Sequence, residues 1–159
     1  MTPQREYPEH PLVGVGGVVI DGGRALLIRR GGKPAHGEWS IPGGLLEAGE
    51  TLEQGVGREL AEETGLEVRV VELIEALERI FPAPPGAGGE PGDPKRPQYH
   101  FVILDYLCEL RGGTLRAGSD ALEFAWAGED ELGKFQVTAA VNRVVKKAFA
   151  LSRERSAAK

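Results

Sequence analysis

The chain has 159 residues, a hydrophobic fraction of 41%, a charged fraction of 27% and a formal net charge of −5, which suits one ordinary globular domain. The acidic balance argues against broad binding to nucleic acid, which needs a basic surface to displace counterions, but leaves room for a local basic pocket. One cysteine, Cys108, excludes an intrachain disulfide framework; it lies in an apolar run and is expected to be a buried structural thiol.

The N-terminal MTPQREYPEH has no apolar signal core and no stretch approaches membrane-spanning length, so a cytoplasmic protein with no membrane partner is expected. Val13 to Ile20 and Ala25 to Arg30 are β-type runs joined by Asp21-Gly22-Gly23, a hairpin signal. Gly14-Val15-Gly16-Gly17 lacks the third spaced glycine and following helix of a dinucleotide loop, so Gly14 and Gly16 read as strand glycines allowing close approach of a helix or ligand. Gly31 to Gly49 reads as an irregular loop carrying Trp39 and Pro42-Gly43-Gly44.

A helix is expected from about Leu52 to Thr64, with Thr51 as N-cap, Gln54 completing a capping box and Gly65 as the stop. Gly55 and Gly57 each cost such a helix about 1 kcal/mol against alanine, and are read as close-packing positions. Glu67 to Phe81 alternates as one strand or a bent pair. Pro82 to Pro97 (PAPPGAGGEPGDPKRP) is incompatible with regular structure and reads as a surface loop or lid. Tyr99 to Leu110 is a strand, Gly112-Gly113 a turn, and Leu122 to Ala127 a further strand. Val141, Val144, Val145, Ala148 and Phe149 recur at helical spacing within Thr138 to Ser152, with fraying expected over residues 153–159.

The chemistry concentrates in Arg58-Glu59-Leu60-Ala61-Glu62-Glu63-Thr64-Gly65. Glu59, Glu62 and Glu63 stand at i, i+3 and i+4 and share a helical face. Three carboxylates so close resist ionising together unless a hard divalent cation neutralises them. An acidic run alone is usually a solvated face. Here it sits in Gly44-(x5)-Glu50-(x7)-Arg58-Glu59-Leu60-x-Glu62-Glu63-x-Gly65-Leu66, a coincidence on the order of 10⁻⁷ at average residue frequencies. Arg58 lies one turn before Glu62 and can hold a carboxylate in one rotamer.

Gly44 to Leu66 resembles a complete Nudix box, the signature of the Nudix hydrolases. The resemblance implies an α/β/α sandwich with a mixed central β-sheet over residues 1–159. It also implies Mg²⁺- or Mn²⁺-dependent hydrolysis of a nucleoside diphosphate linked to another group, with a small nucleotide derivative as partner. Carried over by position, Glu59 and Glu63 resemble the principal metal ligands. Glu62 resembles a further ligand or base, the Gly43 carbonyl another ligand, Arg58 the orienting residue, and Glu50 an outer structural acid. Asp120 and Glu123 resemble later loop acids that serve some members as ligand or base; a turn acid before an edge strand is the other reading.

Arg29, Arg30 and Lys33 are candidate phosphate contacts, with a solvated strand end as the alternative for each. Trp39 reads as core packing or base stacking, and Tyr99 and Phe101 share a strand face that stacks on a base or fills the core. The histidines His10, His36 and His100 are too scattered for a ligand set. Overall resemblance of HPLVGVGGVVI, WSIPGG and YHFVILDYLCEL favours an ADP-ribose or nucleotide-sugar pyrophosphatase, a type often homodimeric. The rival readings are a MutT-like triphosphate cleanser, a dinucleoside polyphosphate or capped-RNA hydrolase, and a non-hydrolysing nucleotide sensor, which typically loses box carboxylates.

Overall fold

The computed structural model describes residues 4–84, 96–116, 118 and 120–158. Strands β1 (Leu12–Asp21) and β2 (Arg24–Arg30) form the hairpin, with Gly22 and Gly23 at φ +58° and +76° in its turn, a conformation that glycine adopts without steric cost. The segment expected to be irregular contains two short strands, β3 (Trp39–Ser40) and β4 (Gly43–Leu45). They are strands only by partnership: β3 pairs with β2, and Gly43, Gly44 and Leu45 pair antiparallel with Gly16, Val15 and Gly14.

Helix α1 (Leu52–Thr64) has the expected ends. Thr51 Oγ1 accepts from Gln54 N–H at 3.1 Å, Gln54 Oε1 accepts from Thr51 N–H at 2.9 Å, and Gly65 closes the helix at φ +78°. Gly55 does pack closely, since a Cβ there would come within 2.6 Å of Leu46. Gly57 does not: an added Cβ would meet nothing within 4 Å. The close approach of α1 to β1 occurs at Gly17, where a Cβ would stand 3.0–3.1 Å from Leu60 and Val56, rather than at Gly14.

Strand β5 (Leu66–Phe81) is one strand with three register shifts against β6 (Tyr99–Gly113), which accounts for its imperfect alternation. Gly112 and Gly113 are not a separate turn; they end β6, paired with Glu67 and Leu66. Most of the Pro82 to Pro97 loop, residues 85–95, lies outside the described residues. Strand β7 (Ala121–Ala127) pairs with β2, a 3-10 helix spans Glu129–Phe135, and α2 (Ala139–Ala157) follows with Thr138 as its N-cap. The helix runs to Ala157, past the expected limit at Ser152; over this last stretch Arg153 pairs with Glu129 at 2.7 Å and Arg155 approaches Glu72.

The strands run β3-β2-β1-β6-β5, with β4 also on β1 and β7 on β2; β1 and β6 are parallel and the other pairs antiparallel. This mixed sheet lies between the two helices. Val56 and Leu60 of α1 pack with Val15, Val19, Leu26, Tyr106 and Cys108 on one face. Val141, Val144, Val145, Ala148 and Phe149 of α2 pack with Val18, Ala25, Leu27 and Leu107 on the other. The architecture is the expected α/β/α sandwich, and strand periodicity of two sends successive β1 residues to opposite cores. Burial pushes the Cys108 thiol up to about 12, so it stays protonated.

Candidate active site

Helical spacing places Arg58, Glu59, Glu62 and Glu63 beside the β4 loop. Arg58 is the hub: its Nε and Nη2 donate to Glu50 at 2.6 and 2.8 Å, Nη1 donates to Glu59 Oε1 at 2.8 Å and Glu62 Oε2 at 3.3 Å, and Nη2 also reaches the Leu45 carbonyl at 2.9 Å. The Arg58 bonds, helped by the Glu47 N–H, hold Glu50 down to about 2, and Glu50 in turn raises Arg58. Glu50 thus acts on the cluster through Arg58.

The two glycines of β4 are required by close approach. A side chain at Gly44 would collide with the Glu59 carboxylate, and one at Gly43 with the backbone of Val15 and Gly16. The Gly43 N–H donates to Glu63 Oε2 at 2.8 Å, locking Glu63 against the loop. Burial pushes Glu63 up to about 7; the Gly43 bond and the charge of Arg30 oppose this, and Glu59 and Asp120 add to it. Glu59 is likewise raised by burial, against the pull of Arg58.

A divalent cation suits this donor set. Arg58 uses one oxygen each of Glu59 and Glu62 and Gly43 uses one of Glu63, so each acid keeps its second oxygen outside those bonds. The donors are hard, anionic and partly desolvated, which is what Mg²⁺-like ions select. Among the described residues no three acid, imidazole or thiol groups already converge on one point. The Glu62 side chain is 61% exposed and turned to Arg58.

These acids line a cavity of about 830 Å³ that passes over the β1–β4 edge onto the sheet face beneath α2. Of the substrate-contact candidates, Arg30, Lys33 and Phe101 line it, as does Asp120. Burial lowers the pKa of Arg30, while the charge of Glu63 counters that shift. Four other candidates lie outside the lining. Arg29 is committed to Glu123 at 3.1 Å and to the Gly37 carbonyl, which accounts for both Arg29 and Glu123. Trp39 packs edge-on against Phe135, 5.1 Å between centroids, in the α2-side core. Tyr99 is buried between Phe81 and Phe101.

Arg79, Arg5 and Asp105 also line the cavity and escaped the sequence reading. Arg79 forms a two-pronged pair with Glu38 at 2.9 and 3.1 Å and lies over the Phe81 ring. Asp105 is 5% exposed, and burial together with the charge of Glu75 pushes it up to about 7. The available signal was an acid inside the otherwise apolar run FVILDYLC.

The NUDIX domain family model matches residues 10–149. An ADP-ribose pyrophosphatase of Methanocaldococcus jannaschii is 34% identical over 114 residues, covering 72% of this chain and 60% of that protein. A MutT-like protein of Streptomyces ambofaciens is 36% identical over 137 residues, covering 84% and 76% of the two chains. The crystal structure of a MutT NUDIX hydrolase from Burkholderia pseudomallei superposes with a TM-score of 0.70 at 28% identity, over 87% of this chain and 98% of that one. No helix among the described residues is long and apolar enough to cross a membrane. With the box intact, its carboxylates gathered beside β4 and the fold shared, the chain belongs to the Nudix hydrolase family.

Proposed function

We propose that the protein hydrolyses the diphosphate of ADP-ribose or a related nucleotide sugar, supported by Mg²⁺ or Mn²⁺ held by Glu59, Glu62 and Glu63. The observation that carries this reading is one continuous cavity. It joins the acidic face of α1 to the cations Arg30, Lys33 and Arg79 and then to an apolar floor including Leu77, Phe101 and Ile103. Anionic phosphates fit the first two, and a sugar or base fits the third.

A divalent cation held by Glu59, Glu62 and Glu63 would neutralise the diphosphate charge and acidify a water. Arg58 keeps Glu59 and Glu62 oriented, and the Gly43 N–H keeps Glu63 aimed at the β4 loop. Arg30, Lys33 and Arg79 bind phosphate oxygens and hold the reacting phosphorus in place. A carboxylate oxygen takes the water's proton; Glu62 and Asp120 are the two candidates, one exposed beside the cluster and one on the cavity wall. The water oxygen bonds to one phosphorus as the bridging phosphorus–oxygen bond breaks, the bridging oxygen leaves with the other phosphate, and two phosphorylated products result.

Similarity to the MutT-like protein of S. ambofaciens supports a second reading, release of pyrophosphate from a nucleoside triphosphate. A Mg²⁺- or Mn²⁺-supplemented screen of ADP-ribose, nucleotide sugars, oxidised triphosphates and dinucleoside polyphosphates separates the two. AMP and ribose 5-phosphate from ADP-ribose are expected. Preferential conversion of triphosphates to monophosphates would replace the first reading with the second, and nucleotide binding without turnover would favour a sensor.

A further inference from the structure

On the sheet face beneath α2 lie three rows of paired residues, all but Glu75 lining the cavity. Arg79 lies opposite Phe101, Leu77 opposite Ile103 and Gly14, and Glu75 opposite Asp105 and Gly16. The floor therefore passes from a cation, over an apolar middle, to an acid. With a rise of about 3.3 Å per residue, Asp105 lies about 13 Å along β6 from Phe101.

Asp105 has no structural employment. Among the described residues no donor is bonded to its carboxyl and no cation pairs with it. The charge that acts on it is Glu75, a like charge, and two cations of α2, Arg143 and Lys147, are bound to Glu75 rather than to Asp105. Asp105 is 5% exposed, and among the described residues no wholly buried side-chain oxygen lacks a partner, so its unbonded oxygens open onto the cavity that the residue lines, where a ligand can take them up.

Its direction names where that ligand sits. The Asp105 Oδ1 is the atom that a Cβ on Gly16 would strike first, ahead of the Pro42 carbonyl and Ile41. The carboxyl thus leans across β1 toward β4, whose Gly43 pairs with Gly16 and binds Glu63. Strands stand about 4.8 Å apart, so the Asp105 and Gly43 Cα atoms are about 10 Å apart. That is the reach from a diphosphate at the acidic cluster to the sugar or base attached to it.

We propose that Asp105 is a substrate-recognition residue, whose carboxyl engages N–H or O–H donors on the organic moiety attached to the diphosphate. The inference rests on the proposed diphosphate hydrolysis. Glycine at position 16 keeps the space into which the carboxyl leans. Ile103 and Leu77 offer the flat apolar contact beside it, and the paired oxygens of Asp105 select moieties with donors at that point. A nucleobase amine and ribose hydroxyls share this chemistry.

The test compares the wild-type chain with Asp105→Asn and Asp105→Leu, with Mg²⁺, on four probes. These are ADP-ribose, its hypoxanthine analogue, which lacks the base amine, and the two analogues lacking the 2-hydroxyl of either ribose. Both variants are expected to melt at or above the wild-type temperature, since a largely buried acid beside the like charge of Glu75 is removed. They should lose about ten- to hundredfold in kcat/KM on ADP-ribose, Asn less than Leu. The loss should shrink toward onefold on the analogue lacking the recognised donor, which identifies base or ribose as its source. Equal losses on all four probes, lowered melting of both variants, or wild-type kcat/KM for Asp105→Leu would each overturn the assignment. If the wild-type chain hydrolyses none of the probes, the proposed function falls and this inference with it.

Discussion

Arg58, Glu59, Glu62 and Glu63, at one end of the cavity, come from six consecutive residues of one helix, whereas Gly16, Arg79, Phe101 and Asp105 come from three strands far apart in the chain. The helical end is tightly bonded: Arg58 alone holds Glu50, Glu59, Glu62 and the Leu45 carbonyl. The strand end has unspent polar capacity in Asp105 and only a partly exposed Arg79–Glu38 pair. The lesson is a division of labour. A rigid, locally encoded cluster suits one bond-breaking chemistry, while a floor assembled from strand faces can change its ligand by single substitutions.

Breaking the helical end should have the largest effect. Glu59→Gln or Glu63→Gln is expected to lower kcat by on the order of 10³-fold or more, because each removes an anionic donor from the proposed metal site. The circular dichroism spectrum should be unchanged. Near-wild-type turnover by both variants would sink the metal assignment.

At the strand end, Arg79→Gln should raise KM for ADP-ribose roughly tenfold, as loss of one charge-assisted phosphate contact does. Its effect on kcat should be smaller. A fall in kcat with KM unchanged would instead assign Arg79 to the chemical step.

Acid stability probes a third network. Arg143 and Lys147 hold Glu75 down to about 2 from an ordinary 4.5. A depressed folded-state pKa contributes stability that is complete above pH 4.5 and lost as pH falls through about 2. Melting temperature should therefore drop between pH 5 and pH 2, and the drop should be smaller in Glu75→Gln. Identical profiles for the two proteins would show that the pair contributes nothing to acid stability.

Gly57→Ala should have the smallest effect and the opposite sign. The position is helical and open, so about 1 kcal/mol of stability is gained, a rise of roughly 2–4 °C, with kcat/KM intact. A lower melting temperature would mean that Gly57 has a packing role.

Helix α1 was legible to the residue because its limits are local: the Thr51–Gln54 box at one end and Gly65 at the other. The Arg58 cluster was legible for the same reason, since spacing along a helix is spacing in space. The candidate contacts were not. Arg29 and Arg30 are adjacent in sequence, yet strand alternation sends Arg30 to the cavity and Arg29 to Glu123. Trp39 read from the sequence as core packing ahead of base stacking, and only the structure supplied its partner, Phe135, distant in the chain.

The amino-acid order alone determined the box, its capped helix, the shared carboxylate face and the strand and helix alternation of the sandwich. These depend on contacts within a few residues, whose energies local spacing decides. Only the tertiary structure decided that β4 exists, that its two glycines meet Glu59 and Glu63, and that Asp105 leans across Gly16 toward them. Those facts depend on which strands become neighbours and in which register, and a one-residue slip of β6 would have turned Asp105 to the other face.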